Sequence, residues 1–180
     1  MAKVLKEICF RATVHRPADG GNWLFLRLPQ EASDKLPSRS MVSVKGEMNG
    51  VGFQTTLRPD GEGGHWMQLD EALVQSMRAT PGGLAEVAIT PMATEPEPEI
   101  PDDLRLALEG NPESLKTWLA TTALARRDWI FWMTSGKKAE TRGIRLEKMM
   151  DMLSKGKKRI CCFDRSGMYD KSLSCPKAID

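Results

Sequence analysis

The sequence has no long hydrophobic run: none of its apolar stretches approaches the roughly 20 residues that a membrane-spanning helix requires. Residues 1–10 also lack the apolar core of a signal peptide, because Lys3, Lys6 and Glu7 interrupt them. These two absences predict a cytoplasmic protein with no membrane span.

Cysteine is sparse and is placed unfavourably for cross-links. Of the four cysteines, Cys9 lies in an alternating strand pattern, whereas Cys161 and Cys162 are adjacent, where a mutual disulfide would be strained. The sequence has no C-x-x-C pair, and no histidine lies near the C-terminal cysteines, so the ligand spacing of a zinc site is missing. We expect reduced thiols and no bound metal.

The motifs of the common catalytic sites are absent. There is no G-x-S-x-G segment, phosphate-binding loop, dinucleotide-binding fingerprint or H-E-x-x-H helix. The two imidazoles belong to His15 and His65, whereas acid–base catalysis needs a reactive group with an oriented partner. The sequence therefore predicts no catalytic residue and no cofactor, and it favours a binding or stress-protection protein over an enzyme.

Charge is distributed unevenly along a chain that is long enough for two small domains. Residues 1–92 carry no net charge, residues 93–111 carry −5 and residues 112–180 carry +7, which gives +2 overall. This distribution predicts an acidic connector between a neutral first part and a basic second part.

The first part has the pattern of short β-strands. Alternating apolar residues and turn signals predict six strands at about residues 8–14, 23–28, 42–48, 51–57, 65–69 and 84–90. Asn49-Gly50 is the strongest hairpin signal, and Asp70 is placed to cap a short helix before the last strand. Because six short strands bury an apolar face only as a barrel or a sandwich, we predict a six-stranded β-barrel over residues 1–92.

The second part has the pattern of helices. Residues 93–101, rich in Pro and Glu, lack apolar periodicity and are predicted to be an extended linker. Residues 102–158 carry helical stripes, with Asn111-Pro112 as a start signal and Leu115, Trp118 and Leu119 predicted to face inward. Residues 159–180 have little periodicity and are predicted to be an irregular tail. The predicted fold class is α+β.

Two stretches resemble known bacterial families. WLFLRLP, at residues 23–29, and the stretch from Val42 to Leu73 resemble an uncharacterised bacterial barrel domain of unknown function. The segments PDDLRLAL, RRDW and AETRGIRLEKM, which begin at Pro101, are similar to the helical bacteriocin-protection domain, also called YdeI/OmpD-associated. The two domains often occur in tandem in this order. The resemblance implies a barrel of the double-split type and no established activity, substrate or catalytic residue.

The predicted ligand site lies at the rim of the barrel. Its residues combine aromatic and polar side chains near the turns and strand ends, and they are Trp23, Asn49, Phe53, His65 and Trp66. For His65 the alternative is a polar strand residue that faces solvent. The expected partner is a small ligand or another protein.

The basic second part offers an alternative function. Lys137, Lys138, Arg142 and Arg145 fall along one helical segment, and such a stripe attracts nucleic acid or another anionic surface. The competing interpretation is a solvated helix face opposite the stripe of Leu146, Met149, Met150 and Leu153. No aromatic side chains of the kind that stack on bases are interleaved with these cations.

Overall fold

The computed structural model describes residues 5–135, 138–160 and 174–179. The chain divides into two compact units. One comprises the described residues up to Thr94 together with residues 174–179, and the other comprises the described residues from Glu95 to Ile160. Each unit has its own apolar core.

The first unit is built on an antiparallel sheet of six strands that curls into a barrel, so the predicted α+β class with an N-terminal six-stranded barrel is confirmed. The strand order is β1-β7-β4-β5-β6-β3. The strands of the unit, including two that the sequence did not predict, are β1 Ile8–Thr13, β2 Arg16–Pro17, β3 Leu24–Arg27, β4 Val42–Met48, β5 Val51–Pro59, β6 His65–Leu69, β7 Leu84–Pro91 and β8 Ala178–Ile179.

The two edges of this sheet meet just after β1. His15 and Phe25 exchange two backbone hydrogen bonds, with N···O distances of 2.8 and 3.0 Å, which links the end of β1 to β3. The interior of the resulting barrel holds the apolar residues that alternate along the strands, among them Val44, Met48, Leu57, Met67 and Ile89.

Backbone geometry explains why glycine occurs at position 46 and why Asn49-Gly50 forms a turn. A Cβ on Gly46 in β4 would collide with the backbone of Ala88 and Ile89 in β7, so no larger residue fits there. Asn49 and Gly50 both have positive φ, 49° and 81°, which confirms the turn predicted between β4 and β5.

Two short helices join strands of the barrel. Helix α1, Gln30–Ser33, was not predicted, because four residues show no periodicity. Helix α2, Glu71–Met77, was predicted, and the Asp70 side chain accepts a hydrogen bond from the Leu73 backbone N–H at 2.7 Å as its cap. Leu73 inserts into the barrel core from this helix.

The C-terminal residues return to the barrel. Strand β8 pairs antiparallel with β2, and the Ala18 N–H donates to the Lys177 carbonyl at 2.8 Å. The sequence predicted an irregular tail here and did not decide whether it returns to the barrel. Cys161, Cys162, Phe163 and Tyr169 lie outside the described residues.

The described residues of the second unit form four helices, α3 Asp102–Glu109, α4 Pro112–Leu119, α5 Ala123–Thr134 and α6 Ala139–Ser154. The predicted start of α4 is confirmed, because the Asn111 side chain accepts from the Ser114 N–H; Thr122 caps α5 in the same way. Trp118 is buried as predicted, but Leu119 is 66% exposed, so its inward assignment is wrong. In the part of the chain that the structure describes, no helix is long and apolar enough to span a membrane.

The acidic segment before α3 contacts α5. The Glu95 carboxylate lies 3.0 Å from Arg127, and the Glu97 carboxylate lies 2.6 Å from Arg126. Ile100 packs against the helical core. The domain limits and the linker character of residues 93–101 stay predictions, although residues from Glu95 onward belong to the second unit by contact.

Candidate ligand cleft

A cleft of about 630 Å³ opens on the barrel where β3 begins and β6 ends, beside α2. Its wall combines one large aromatic residue with amides, carboxylates and a cation. The lining residues are Arg16, Asn22, Trp23, Leu24, Gln68, Leu69, Asp70, Glu71, Val74, Gln75, Ala79, Thr80 and Pro81.

The polar wall of the cleft is fixed by the start of α2. Since β6 ends at Leu69 and Asp70 caps the helix, the first turn of α2 must follow β6 directly. Glu71 and Gln75 are four residues apart on this helix, and the Gln75 amide donates to the Glu71 carboxylate at 3.2 Å. Both side chains are exposed and available to a ligand.

The aromatic wall is supported from behind by other rings. Trp23 is half-buried, and its ring centroid lies 5.8 Å from that of Phe25 and 6.4 Å from that of Trp66. Phe25 and Trp66 meet edge to face at 6.1 Å, and the Arg58 guanidinium carbon lies 5.1 Å from the Trp66 ring centroid. Trp23 is therefore the member of this aromatic cluster that presents its ring to the cleft.

The chemistry of the lining suits binding. An indole beside Val74 offers apolar area, while the side-chain amides, carboxylates and Arg16 offer hydrogen bonds that orient a ligand. The lining contains no histidine, cysteine or lysine to act as a base or nucleophile. Among residues 5–135, 138–160 and 174–179, no group of three His, Cys, Asp or Glu side chains is placed to hold a metal ion.

His65 has a different position from the one that its sequence context suggested. It is fully buried, so the solvent-facing alternative is wrong. Its Nε2 lies 2.9 Å from the Ser40 carbonyl oxygen, and its backbone N–H donates to the Ser33 hydroxyl in α1. Burial lowers the pKa of the imidazole, while its contacts with the Ser40 backbone and Asp60 oppose this. The residue fastens the loop after α1 to β6.

Asn49 and Phe53 do not line the cleft at Trp23. The Asn49 side-chain oxygen, Oδ1, accepts a hydrogen bond from the Glu86 backbone N–H at 2.8 Å, which fastens the β4–β5 turn to β7. Asn49 instead borders a second cleft of about 540 Å³ that also includes Cys9 and Arg11. Phe53 is half-buried and packs against the barrel core. Of the five predicted residues, the structure brings Trp23 and Trp66 together.

Asp60 is a residue whose role the sequence did not reveal. Its carboxylate, with a side chain 1% exposed, accepts from the Arg27 guanidinium at 2.7 and 3.0 Å and from the backbone N–H groups of Glu62 and Gly64, both at 2.8 Å. Burial alone would raise the pKa of Asp60, but these donors outweigh it and hold the pKa below its usual value. In the sequence, Pro59-Asp60-Gly61 indicates only a turn before β6.

Some residues of the predicted basic stripe form contacts within their own unit. Arg142 is paired with Asp103, and Arg145 donates to the Trp132 carbonyl and the Ser135 hydroxyl, both at 2.7 Å. Lys138 is exposed, and Lys137 lies outside the described residues. Two of the four predicted anion-binding residues therefore have partners within their own unit.

Two families match consecutive parts of the chain. Residues 10–89 match the family described as Domain of unknown function (DUF1905), and residues 97–156 match the family described as Bacteriocin-protection, YdeI or OmpD-Associated. The resemblance noted from the sequence is confirmed for both parts and for their order. No curated protein matches the chain.

Proposed function

Since the chain carries a domain of unknown function (DUF1905) followed by a domain of the bacteriocin-protection, YdeI or OmpD-associated family, we propose that it is a non-enzymatic binding protein whose barrel takes up a small ligand in the cleft at Trp23. The name of the second family points to protection. Sequestering a small molecule is the form of protection that such a cleft supports.

The observation that carries this proposal is the half-buried indole of Trp23 at the wall of a preformed cleft. Phe25 and Trp66 hold the indole from behind, and the capped first turn of α2 holds the polar wall. A site held by packing and a helix cap loses little conformational entropy when a ligand enters. The ligand expected here has an apolar face for the indole and polar groups for Gln68, Glu71 and Gln75.

Thermal unfolding with a panel of sugars, amino acids, nucleosides and aromatic acids tests the proposal. A ligand bound in the cleft raises Tm, by the equivalent of about 2.7 kcal/mol at a concentration a hundredfold above its Kd. The increase should persist at high salt, because the contacts are not those of a polyanion. Tryptophan emission should change with the same Kd.

The matched variants are Trp23→Ala and Phe53→Ala. Each removes one half-buried aromatic ring from the barrel, but only Trp23 lines the cleft. Trp23→Ala should abolish the ligand-induced increase in Tm, and Phe53→Ala should retain it. A panel in which nothing stabilises the protein, or equal binding by both variants, would contradict the proposal.

A further inference from the structure

Two aromatic residues on the outer face of the barrel are almost completely buried. In β3 and β6, Leu26 and Met67 belong to the interior core, whereas Phe25 and Trp66 alternate with them and point outward. The outward residues are nevertheless only 2% and 3% exposed. Side chains on the outer face of a small barrel are buried to this degree only when other parts of the protein cover them.

The C-terminal segment, residues 174–179, reaches this side of the barrel at two points. At one end, β8 is paired with β2, which follows directly after the His15–Phe25 backbone pair. At the other end, the partly buried thiol of Cys175 lies within electrostatic reach of Arg27 and Asp60, and Arg27 is the neighbour of Trp66 in the β3–β6 ladder. The segment therefore runs along the outer side of β3, past the aromatic cluster.

The way in which the segment is held is typical of a bound peptide. Its last two described residues form β8, which pairs with β2 through the backbone, and the small or thin side chains of Cys175, Pro176 and Ala178 are partly buried. From Pro176 to Ile179, partly buried residues alternate with exposed ones, and Ile179 is 50% exposed. Backbone pairing with alternate buried side chains is how extended peptides add to a sheet edge.

We propose that the outer face of β2 and β3 is a docking groove for an extended peptide, and that residues 174–179 of this chain are its occupant. The groove takes peptides with small side chains at alternate positions and main-chain groups free to pair with β2. A strand of only two residues is held weakly, so the segment exchanges with the same sequence offered from outside. Because Arg16 of β2 also lines the Trp23 cleft, occupation of the groove fixes one wall of that cleft.

Thiol labelling of the full-length protein tests whether the segment is docked. Cys9 is exposed and serves as the internal reference; the pKa of both thiols is raised, and burial raises that of Cys175 to about 11. Iodoacetamide at pH 8, followed by peptide-resolved mass spectrometry, gives the ratio of the two rates. Cys175 should react at least about tenfold more slowly than Cys9, because the thiolate is the reactive species.

Two variants of the segment separate docking from surface chemistry. Ile179→Pro removes a backbone donor from β8 and should raise the relative rate of Cys175 about tenfold or more. Lys177→Ala changes an exposed side chain in the same segment and should leave the rate unchanged. An unchanged rate in Ile179→Pro would show that the segment is not held at β2 and would overturn the proposal.

Exchange is tested with a synthetic peptide of residues 174–180 that has serine in place of Cys175. In excess, this peptide should increase the rate at which Cys175 of the unaltered protein is labelled. It should also shift the tryptophan emission of the Ile179→Pro variant, and this shift should saturate as the peptide concentration rises. A scrambled peptide of the same composition is the control. If the peptide at millimolar concentration does neither, or the scrambled peptide acts equally, the groove is not a peptide-docking site.

Discussion

Arg142 donates two hydrogen bonds to the Asp103 carboxylate, from Nε at 2.8 Å and from Nη2 at 2.9 Å. The pair joins α6 to the start of α3, and the hydrogen bonds from Arg142 hold the pKa of Asp103 below its usual value. A cation that the sequence suggested for anion binding is thus occupied in fastening two helices of its own unit.

We expect Arg142→Gln to lower the free energy of unfolding by about 0.5–1 kcal/mol at pH 7, because both side chains are more than a third exposed. The folded pKa of Asp103 is depressed, so its contribution is present above the unfolded pKa, about 3.9, and is lost as the pH falls through the folded value. Urea unfolding at pH 7 and pH 3 checks this, with Lys138→Gln as the exposed control. A difference that is not smaller at pH 3 than at pH 7 would contradict it.

The basic segment is tested without disturbing these contacts by Lys137→Gln combined with Lys138→Gln. If the segment is a solvated face, heparin should release the double variant and the unaltered protein at the same low salt concentration. If it is an anion site, each lost phosphate contact should lower the salt slope of the affinity by about one unit. Adding Arg142→Gln and Arg145→Gln is less informative, since both arginines also hold the helical unit together.

Asp60 should matter more to stability than its neighbour Glu62, although both accept from Arg27. The Asp60 side chain is 1% exposed and that of Glu62 is 74% exposed. Asp60→Asn should cost about 1–3 kcal/mol, because it removes a charged acceptor from a buried network. Glu62→Gln should cost less than about 0.5 kcal/mol. Equal effects in chemical denaturation would show that the network is not rigid.

The depressed pKa of Asp60 also predicts part of the acid sensitivity of the barrel. Its contribution is complete above the unfolded pKa of about 3.9 and disappears as the pH falls through the lower folded value. Between pH 5 and pH 3, Tm should therefore fall less in Asp60→Asn than in the unaltered protein. Circular dichroism melts across this range measure the two slopes.

The two tryptophans of α5 should differ in their contributions. Trp129 is fully buried, whereas Trp132 is half-buried under the Arg145 guanidinium, whose carbon lies 5.5 Å from the Trp132 ring centroid. Trp129→Ala should cost about 3–5 kcal/mol. Trp132→Ala should cost less, about 1–3 kcal/mol, and urea unfolding of both variants tests the order.

Gly46 offers a test of how tightly β4 and β7 are packed. Gly46→Ala places a methyl group against the backbone of Ala88 and the Ile89 Cα, so the ladder has to move apart. A loss of about 1–3 kcal/mol is expected. Gly52→Ala is the matched control, since no atom lies within 4 Å of its Cβ position. Similar unfolding free energies in the two variants would contradict this packing.

Local chemistry made most of the elements predictable. The six strands follow from the alternation of apolar and polar residues. Asn49 marks a turn, and Asp70 and Asn111 mark helix starts, where a single side chain determines the local backbone conformation. Helix α1 and strands β2 and β8 are two to four residues long and carry no periodic signal. They depend on partners that are distant in sequence.

The candidate site was harder to predict, for a related reason. Alternation tells which residues share a face of a strand, but it does not tell whether other segments cover the outer face. His65 and Trp66 follow each other in β6 and point to opposite sides, and both are buried. The solvent-facing alternative for His65 was wrong because α1 and the loop after it lie over this end of the barrel.

The strand order has a consequence for how the protein is synthesised. β1 finds its ladder partner in β7, the last strand of the sheet to be translated, whereas the helices of the second unit contact partners that are nearer in sequence. Ribosome-bound chains therefore expose the apolar side chains of β1 until β7 has left the exit tunnel. Non-local pairing slows folding, so the first half of the chain to emerge should be the last to mature.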